Sequence, residues 1–342
     1  MRTFGSFCNL AVFKIITLCI VFYISCGNKI SSEKDYGRNW KNCQKFKGMS
    51  LPSWLKGELS SQRFLNALDE LRSLGLNSVA IVITLYQDGL TSSHIIKTEN
   101  TPDEFEVELA LSEAKKRGFC VMLKPHIDPI PLTYRGLISP QDIKTWKEDY
   151  FRFMLSYAEI AERYKAEIFS VGTELEYIST SYPEVFIEFI EKVRKIFSGK
   201  LIYSANFTEY KKVSFWKELD FVGIDAYFSL CSEGEVPEKS KIKARWESII
   251  REIRDFAGEK EVVFTELGYL SRRGTCARPW DYTLNSERDE DEQAMLYESA
   301  IEFAFPHIKG IFWWEWEFYR DDVDKLGYTP RGKKAEEKIR KW

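Results

Sequence analysis

Short apolar runs alternate with longer amphipathic segments along the chain from residue 46 onward. The apolar run "KFKGMSLPSW" comes first, and in the following "SQRFLNALDELRSLG" the residues Phe64, Leu68 and Leu71 recur at helical spacing before Gly75. In the next helix, "TPDEFEVELALSEAKKRG", the order of residues predicts Thr101 as the cap. The pattern continues to give eight predicted strands that alternate with helical segments.

Strict alternation of strands and helices indicates a parallel sheet with crossover helices. Eight repeats within residues 46–342 match a closed barrel, which typically needs about 250 residues, better than an open doubly wound sheet. No glycine-rich phosphate-binding motif follows any predicted strand, which disfavours a nucleotide-binding sheet. We therefore predict an α/β protein with one (β/α)8 TIM barrel as its catalytic domain over residues 46–342.

The first 26 residues have the layout of a secretory signal. Arg2 and Lys14 precede an apolar run, residues 15–24, that is too short for a comfortable membrane span. The run ends at "YISC", which resembles a bacterial lipobox with Tyr23 where Leu is usual. We predict a lipoprotein-type signal peptide over residues 1–26, and a plain secretory signal and a retained anchor helix are the alternatives.

In this interpretation Cys26 carries the lipid, and the polar residues 27–45 form a tether. We expect an exported protein that contacts a bacterial membrane only through this lipid anchor. A plain signal would instead make the protein periplasmic or secreted.

The composition excludes some classes of partner. The net charge is −3 with both signs mixed along the chain, which argues against a nucleic-acid binder. Aromatic residues make up 15% of the chain, and their rings suit both a core and a sugar-stacking surface.

The three histidines are scattered and no CxxC pair occurs, so we expect no metal site and no cofactor. We also expect a monomer.

The remaining cysteines allow one disulfide to be considered. Cys120 lies in the apolar run "FCVML", and we expect it to be a buried, inert thiol. Cys231 and Cys276 follow predicted strands six and seven, which are neighbours in a barrel. These two are either bridged outside the cytoplasm or are free surface thiols.

Polar and aromatic residues gather at the carboxyl ends of the predicted strands, where TIM barrels carry their chemistry. In strand order they are Trp54, Tyr86, Lys124, His126, Glu174, Asn206, Asp225, Tyr227, Glu266, Trp314 and Trp316. Glu174 ends strand four and Glu266 ends strand seven, on opposite sides of the mouth. Two carboxyl groups so placed suit glycosidic bond hydrolysis, in which one donates a proton and the other attacks the anomeric carbon or activates water. Salt-bridged rim residues are the alternative for either one.

The segments "GTELE" and "FTELGY" resemble the catalytic segments of glycoside hydrolase family 113. The likeness extends through "VMLKPHID", "YSANF", "FWKELDFVGIDAYF" and "GIFWWEWE", in the order that the family has. The resemblance implies a retaining β-1,4-mannanase with Glu174 as acid/base and Glu266 as nucleophile. Thr173 departs from the wider clan, in which Asn usually precedes the acid/base. Asn206 and His126 are then the candidates for contacting the 2-hydroxyl of the sugar.

Other strand-end residues have more than one interpretation. Tyr227 faces the same way as Asp225 and could donate its hydroxyl to Glu266. Trp314 is the expected floor under the reactive sugar, whereas Trp316 belongs either to the site or to the core. Lys124 and Asp225 complete the predicted binding set.

Two further residues lie in loops. Trp280, after strand seven, lines a further sugar site or caps the barrel. Glu176 competes with Glu174, but its place beyond the strand end makes it the expected rim residue.

Three functions fit this pattern. The first is a retaining endo-acting glycosidase that cleaves a β-linked polysaccharide or oligosaccharide containing mannose. The second is a non-catalytic carbohydrate-binding lipoprotein that keeps the barrel. The third is a hydrolase of another β-glycan, such as xylan or glucan.

Overall fold

The computed structural model describes residues 37–38, 40–320 and 322–342. Cys26, the predicted signal peptide and most of the predicted tether lie outside these residues.

Eight parallel strands close into a barrel in chain order, because β8 pairs back to β1. The strands are β1 (Phe46–Pro52), β2 (Ser78–Asp88), β3 (Cys120–Ile130), β4 (Ile168–Thr173), β5 (Lys200–Asn206), β6 (Val222–Asp225), β7 (Val262–Leu267) and β8 (Gly310–Trp313). The prediction of a (β/α)8 TIM barrel is confirmed.

The helices surround the barrel as crossover connections. They are α1 (Gln62–Ser73), α2 (Glu104–Lys116), α3 (Ile143–Arg163), α4 (Glu176–Ser181), α5 (Pro183–Val193), α6 (Lys239–Ala257), α7 (Glu290–Ser299) and α8 (Lys334–Arg340). A single 3-10 turn, Trp216–Glu218, stands between β5 and β6 in place of a full helix. A π-helical turn, Ala300–Ala304, follows α7.

The start of α2 differs from the sequence prediction. Asp103, and not Thr101, caps the helix, and it forms a reciprocal capping box with Glu106. The Thr101 hydroxyl instead donates to the carbonyl of Thr84 in β2 at 2.9 Å. Because the Asp103 carboxylate accepts from the first N–H groups of the helix, the Thr101 hydroxyl is not needed as a cap and contacts β2 instead.

The barrel interior is filled by side chains, as in other closed eight-stranded barrels. This inner cluster consists of Cys43, Phe46, Ala80, Val82, Cys120, Met122, Ile168, Ile202, Phe221, Val263 and Phe312. A larger apolar layer packs between the strands and the helices. Apolar side chains therefore fill the inside of the barrel, and the carboxyl ends of the strands are where barrels of this kind carry their sites.

A disulfide joins Cys43 to Cys120, so the prediction of an inert thiol at Cys120 is wrong. Cys43 lies within the segment predicted as a tether, and sequence position alone gave no sign that it approaches β3. Arg38, in the same segment, donates to the Ala166 carbonyl at 2.8 Å and to the Ser198 hydroxyl at 2.7 Å. The end of the predicted tether thus packs against the amino-terminal face of the barrel.

A second disulfide joins Cys231 to Cys276 with their Cα atoms 5.5 Å apart. It links the loop after β6 to the loop after β7, as one of the two alternatives for these cysteines predicted. Across the described part of the chain, no helix is long and apolar enough to cross a membrane.

Candidate active site

Glu174 is the first residue after β4, and its backbone has a φ of 51°. Its amide donates to the Ser204 carbonyl at 2.8 Å, which holds this turn against β5. Asn206 donates from Nδ2 to Glu174 Oε1 at 2.7 Å. Arg135 lies further away, with Nη1 at 3.8 Å from Oε2.

Burial has the largest effect on the pKa of Glu174, whose side chain is only 14% exposed. Burial raises the pKa of Glu174 to about 7, with the negative charge of Glu266 adding to the rise, while Arg135 and Asn206 oppose it. A carboxyl group with this pKa holds a proton near neutral pH, as a general acid must.

Glu266 has a contrasting environment at the end of β7. The buried Lys124 of β3 forms an ion pair with Glu266 Oε1. The Tyr227 hydroxyl donates to Oε2 at 2.8 Å. A cation therefore contacts one oxygen of Glu266 and a hydroxyl donor contacts the other.

Asp225 shares the same lysine. Lys124 Nζ lies 3.0 Å from Asp225 Oδ1 and 3.3 Å from Oδ2, and the Thr265 hydroxyl donates to Oδ1 at 2.7 Å. Burial, followed by the charge of Glu266, raises the pKa of Asp225 well above its ordinary value. Asp225 therefore anchors Lys124 between two carboxyl groups rather than facing open solvent.

His126, Trp314 and Trp54 form an aromatic wall beside Glu266. The rings of His126 and Trp314 are stacked, with their centroids 6.1 Å apart and 14° between their planes. Trp54 packs edge-on against Trp314 with ring centroids 6.2 Å apart. His126 Nε2 lies 3.7 Å from Glu266 Oε1. Within the described residues neither ring nitrogen has a hydrogen-bond partner. Burial, then Arg135 and Lys124, lowers the pKa of His126 well below its usual value, so the ring is neutral.

The structure does not bring every predicted residue into this cluster. Trp316 is buried in the outer apolar layer, and its indole N–H donates to Glu70 of α1 at 3.1 Å. Trp280 lies instead in the loop after β7, where it packs against Phe207. Glu176 pairs with Lys212 at 2.6 Å on the rim.

Sequence reasoning missed a buried carboxyl group that supports the Glu174 side of the site. Glu209 accepts from the Ser179 and Tyr203 hydroxyls at 2.5 and 2.6 Å and from the Asn206 amide at 2.9 Å. The Tyr203 hydroxyl in turn accepts from the Leu175 amide at 2.9 Å. Glu209 therefore fixes both Asn206 and the turn that follows Glu174. The only signal in the sequence was a glutamate three residues after Asn206.

Arg135 and Glu315 were also missed. Arg135 donates to Asp128 at 2.7 Å, and Asp128 lies two residues before the end of β3 with its side chain almost fully buried. Burial, then the charge of Glu317, raises the pKa of Glu315 to about 8. Neither residue is among the strand-end positions that the sequence predicted, because Arg135 lies in a 3-10 turn after β3 and Glu315 follows β8.

No group of three or more His, Cys, Asp or Glu in the described chain could hold a metal ion. The cluster consists of carboxyl groups, their partners and aromatic rings. The model of Glycoside Hydrolase Family 113 matches residues 52–328. The chain belongs to this family.

Solved structures agree with the family assignment. The family 113 β-mannanase from Alicyclobacillus acidocaldarius, in complex with ManMIm, is 25% identical with a TM-score of 0.78, over 87% of this chain and 96% of that one. Another family 113 β-1,4-mannanase has a TM-score of 0.77 at 24% identity, over 87% and 98% of the two chains. A Ruminococcus gnavus β-glucuronidase shares the fold at 13% identity and a TM-score of 0.62, over 87% of this chain and 50% of that one. None of the curated proteins compared matches the chain.

Proposed function

We propose that this glycoside hydrolase cleaves β-1,4-linked mannose polysaccharides with retention of anomeric configuration. Glu174 is the acid/base and Glu266 is the nucleophile. The observation that carries the proposal is the contrast between two identical side chains. Burial favours the protonated form of Glu174, whereas Lys124 and Tyr227 supply positive charge and a donor to Glu266.

In the first step the Glu266 carboxylate attacks the anomeric carbon, and the bond from that carbon to the leaving oxygen breaks. Glu174 gives its proton to the leaving oxygen, so the product departs as a neutral alcohol. Arg135 and Asn206 then face the new Glu174 carboxylate, which they stabilise.

In the second step Glu174 takes a proton from water, whose oxygen bonds to the anomeric carbon as the bond to Glu266 breaks. Lys124 and Tyr227 are in place to receive the returning charge on Glu266. Two inversions at one carbon give net retention.

The mannose assignment rests on the family and on two polar groups. Asn206 and His126 are the candidates for contacting the sugar 2-hydroxyl, because Thr173 cannot offer the amide that Asn would. Asn206 already contacts Glu174, and the His126 nitrogens have no partner within the described structure. Trp314, stacked on His126, supplies an apolar face for the same sugar.

The test is product analysis after incubation with mannan, glucomannan, xylan and β-glucan. We expect oligosaccharides from mannan and glucomannan, with the β-anomer formed first when the products are followed by NMR. Cleavage of xylan or β-glucan alone would replace the mannose assignment. Binding without cleavage of any polymer, with Glu174 and Glu266 intact, would establish the non-catalytic alternative.

We further propose that the enzyme is exported and lipid-anchored through Cys26. Two disulfides support an oxidising compartment, because cytoplasmic thiols are normally kept reduced. Replacing Cys26 with Ala should release the protein from the membrane fraction or leave its signal uncut. Recovery of unmodified wild-type protein in the soluble fraction, cut at another residue, would contradict the anchor and leave the glycosidase proposal untouched.

A further inference from the structure

Charged residues are divided unequally between the two ends of the barrel. The connections that lead from the helices and helical turns into the strands lie at the amino-terminal face, as do the segments before β1 and after α8. They are residues 37–38, 40–45, 74–77, 117–119, 164–167, 194–199, 219–221, 258–261, 308–309 and 341–342. Within the described chain they carry ten Lys and Arg and four Asp and Glu, whereas the connections at the mouth carry thirteen and sixteen. The amino-terminal face is therefore positive, and the mouth is negative.

Five lysines of the amino-terminal face form no ion pair with the residues that the structure describes. Lys41, Lys195 and Lys341 are exposed, and their side chains make no hydrogen bond there. Lys45 and Lys260 donate only to backbone carbonyls, at 2.9 and 2.5 Å. A carbonyl accepts a hydrogen bond but does not cancel the charge, so all five ammonium groups leave positive charge on this face.

The carboxylates of this face do not offset that charge, because other cations already contact them. Asp220 accepts from Arg194 at 2.7 Å and from Lys200 at 3.0 Å. Glu261 pairs with Lys309 at 3.1 Å. The excess positive charge is therefore available to an anionic partner.

The described chain begins at the same face. Arg38 donates to the carbonyl of Ala166, two residues before β4. Trp40 packs against the apolar cluster inside the barrel, and Cys43 is joined to Cys120 at the start of β3. These contacts fix the entry of the chain at the amino-terminal face.

The proposed anchor is close to this entry point along the chain. Residues 27–36 separate Cys26 from Gly37, the first described residue. A segment of this length spans at most roughly 35 Å when fully extended. A lipid on Cys26 would therefore keep the amino-terminal face within that distance of a bilayer.

We propose that the amino-terminal face of the barrel docks on the anionic lipid headgroups of the membrane that holds the anchor. This inference rests on the proposed lipid anchor and extends it to the orientation of the barrel. Lysines close to an anionic bilayer are attracted to its headgroups, over a range of about one Debye length, roughly 8 Å at physiological salt. The unpaired lysines of this face supply that attraction.

Docking through this face determines where the active site points. Glu174 and Glu266 lie at the carboxyl ends of their strands, at the opposite end of the barrel. The negative mouth is repelled by the same headgroups that attract the positive face, so both ends of the barrel favour one orientation. The mouth therefore opens away from the bilayer, toward polysaccharide in the surrounding solution.

The experiment measures how fast individual lysines are acetylated in the full-chain protein mixed with vesicles. One vesicle is phosphatidylcholine alone, and the other is an equimolar mixture of phosphatidylcholine and phosphatidylglycerol. By mass spectrometry, Lys41, Lys195 and Lys341 should react about fivefold more slowly on the anionic vesicles. Lys56 and Lys97, exposed in connections at the mouth, should react equally on both. High salt should remove the protection but leave anchored protein on the vesicles.

Two double variants with the same net charge test the face itself. Lys41→Gln with Lys341→Gln should reduce the protection of Lys195 from about fivefold to about twofold or less. Lys56→Gln with Lys97→Gln removes the same charge from the mouth, and it should leave the protection of Lys195 as in the wild type.

Equal acetylation rates on the two vesicles, or equal protection of the lysines at the mouth, would overturn the docking face. Retention on the phosphatidylcholine vesicles distinguishes this outcome from failure of the anchor. Protein that stays on those vesicles but gains no protection from phosphatidylglycerol keeps the anchor and contradicts docking. Protein that washes off them but is protected at Lys41, Lys195 and Lys341 on the anionic vesicles lacks the anchor and supports docking.

Discussion

Asn206 donates its side-chain N–H to Glu174 Oε1 over 2.7 Å, and its own backbone N–H donates to Glu209. One residue at the end of β5 therefore contacts the proposed acid directly and connects it to a buried carboxyl group behind the site. The contact has a defined electrostatic effect, because a donor to the ionised form lowers the pKa of Glu174 while burial raises it to about 7.

The first prediction concerns the alkaline limb of the pH profile. Glu174 must be protonated to act as the acid, so kcat/KM should fall as the pH rises through about 7. In Asn206→Ala the opposing hydrogen bond is gone, and the alkaline limb should move to higher pH even though the overall rate drops. The measurement is kcat/KM against pH for both proteins. A limb that stays in place would show that Glu174 is not the group that titrates.

The second prediction concerns stability. The pKa of Glu174 is raised above the ordinary value of 4.5, so the folded state holds the proton more tightly than the unfolded state. The stability that comes from this group is present at pH 4 and is lost as the pH rises from 4.5 through about 7. Glu174→Gln, which stays neutral, should unfold at a higher temperature than the wild type at pH 8. We expect a gain on the order of 1–3 kcal/mol.

Thermal unfolding at pH 5 provides the comparison, because the wild-type group is then protonated and the two proteins should differ little. An equal difference at both pH values would mean that Glu174→Gln acts through packing and not through charge.

The third prediction concerns the nucleophile. Glu266→Ala should lower kcat by roughly 10⁴-fold or more, because the covalent intermediate cannot form. Azide should partly restore turnover of an activated aryl glycoside and give a glycosyl azide of inverted configuration. Glu176→Ala is the control, since Glu176 pairs with Lys212 on the rim, and it should keep wild-type activity. Full activity in Glu266→Ala would place the nucleophile elsewhere.

The fourth prediction assigns Glu209 a positioning role. Its two oxygens accept from Ser179, Tyr203 and Asn206, and a glutamine in its place would turn an N–H toward a donor. Glu209→Gln should lower kcat by about tenfold with little change in KM, and it should also shift the alkaline limb of the pH profile. A merely structural role would not move that limb.

Glu167→Gln is the matched control. Glu167 is also buried, directly precedes β4 at the opposite end of the barrel from Glu174, and pairs with Lys115. The Glu167→Gln variant should have a lower melting temperature than the wild type but the same pH profile of kcat/KM. Parallel losses in stability and activity for both variants would reduce Glu209 to a folding residue.

The sequence was sufficient to predict the barrel and the two proposed catalytic residues. Alternating apolar and amphipathic segments determine a parallel barrel, and the barrel brings the ends of strands four and seven to one mouth. The partners of these residues were harder to predict. Arg135 and Glu209 lie in turns, where neither period-two nor period-3.6 patterns indicate direction. Trp316 was ambiguous because a strand-end tryptophan can face either layer, and the contact with Glu70 decides for the outer one.

The last prediction concerns the two disulfides. Cys43–Cys120 spans 77 residues and Cys231–Cys276 spans 45, and each restricts the unfolded chain. Removing either bridge by paired Cys→Ser replacement should cost about 2–4 kcal/mol of unfolding free energy.

The two disulfide variants should differ in activity. Loss of Cys43–Cys120, at the closed end of the barrel, should leave kcat/KM for β-1,4-mannopentaose unchanged. Loss of Cys231–Cys276 should lower it, because that bridge fixes the loop carrying Trp280. Titration of the unfolded, non-reduced protein should find none of these four cysteines free, and detection of free Cys231 and Cys276 would refute the second bridge.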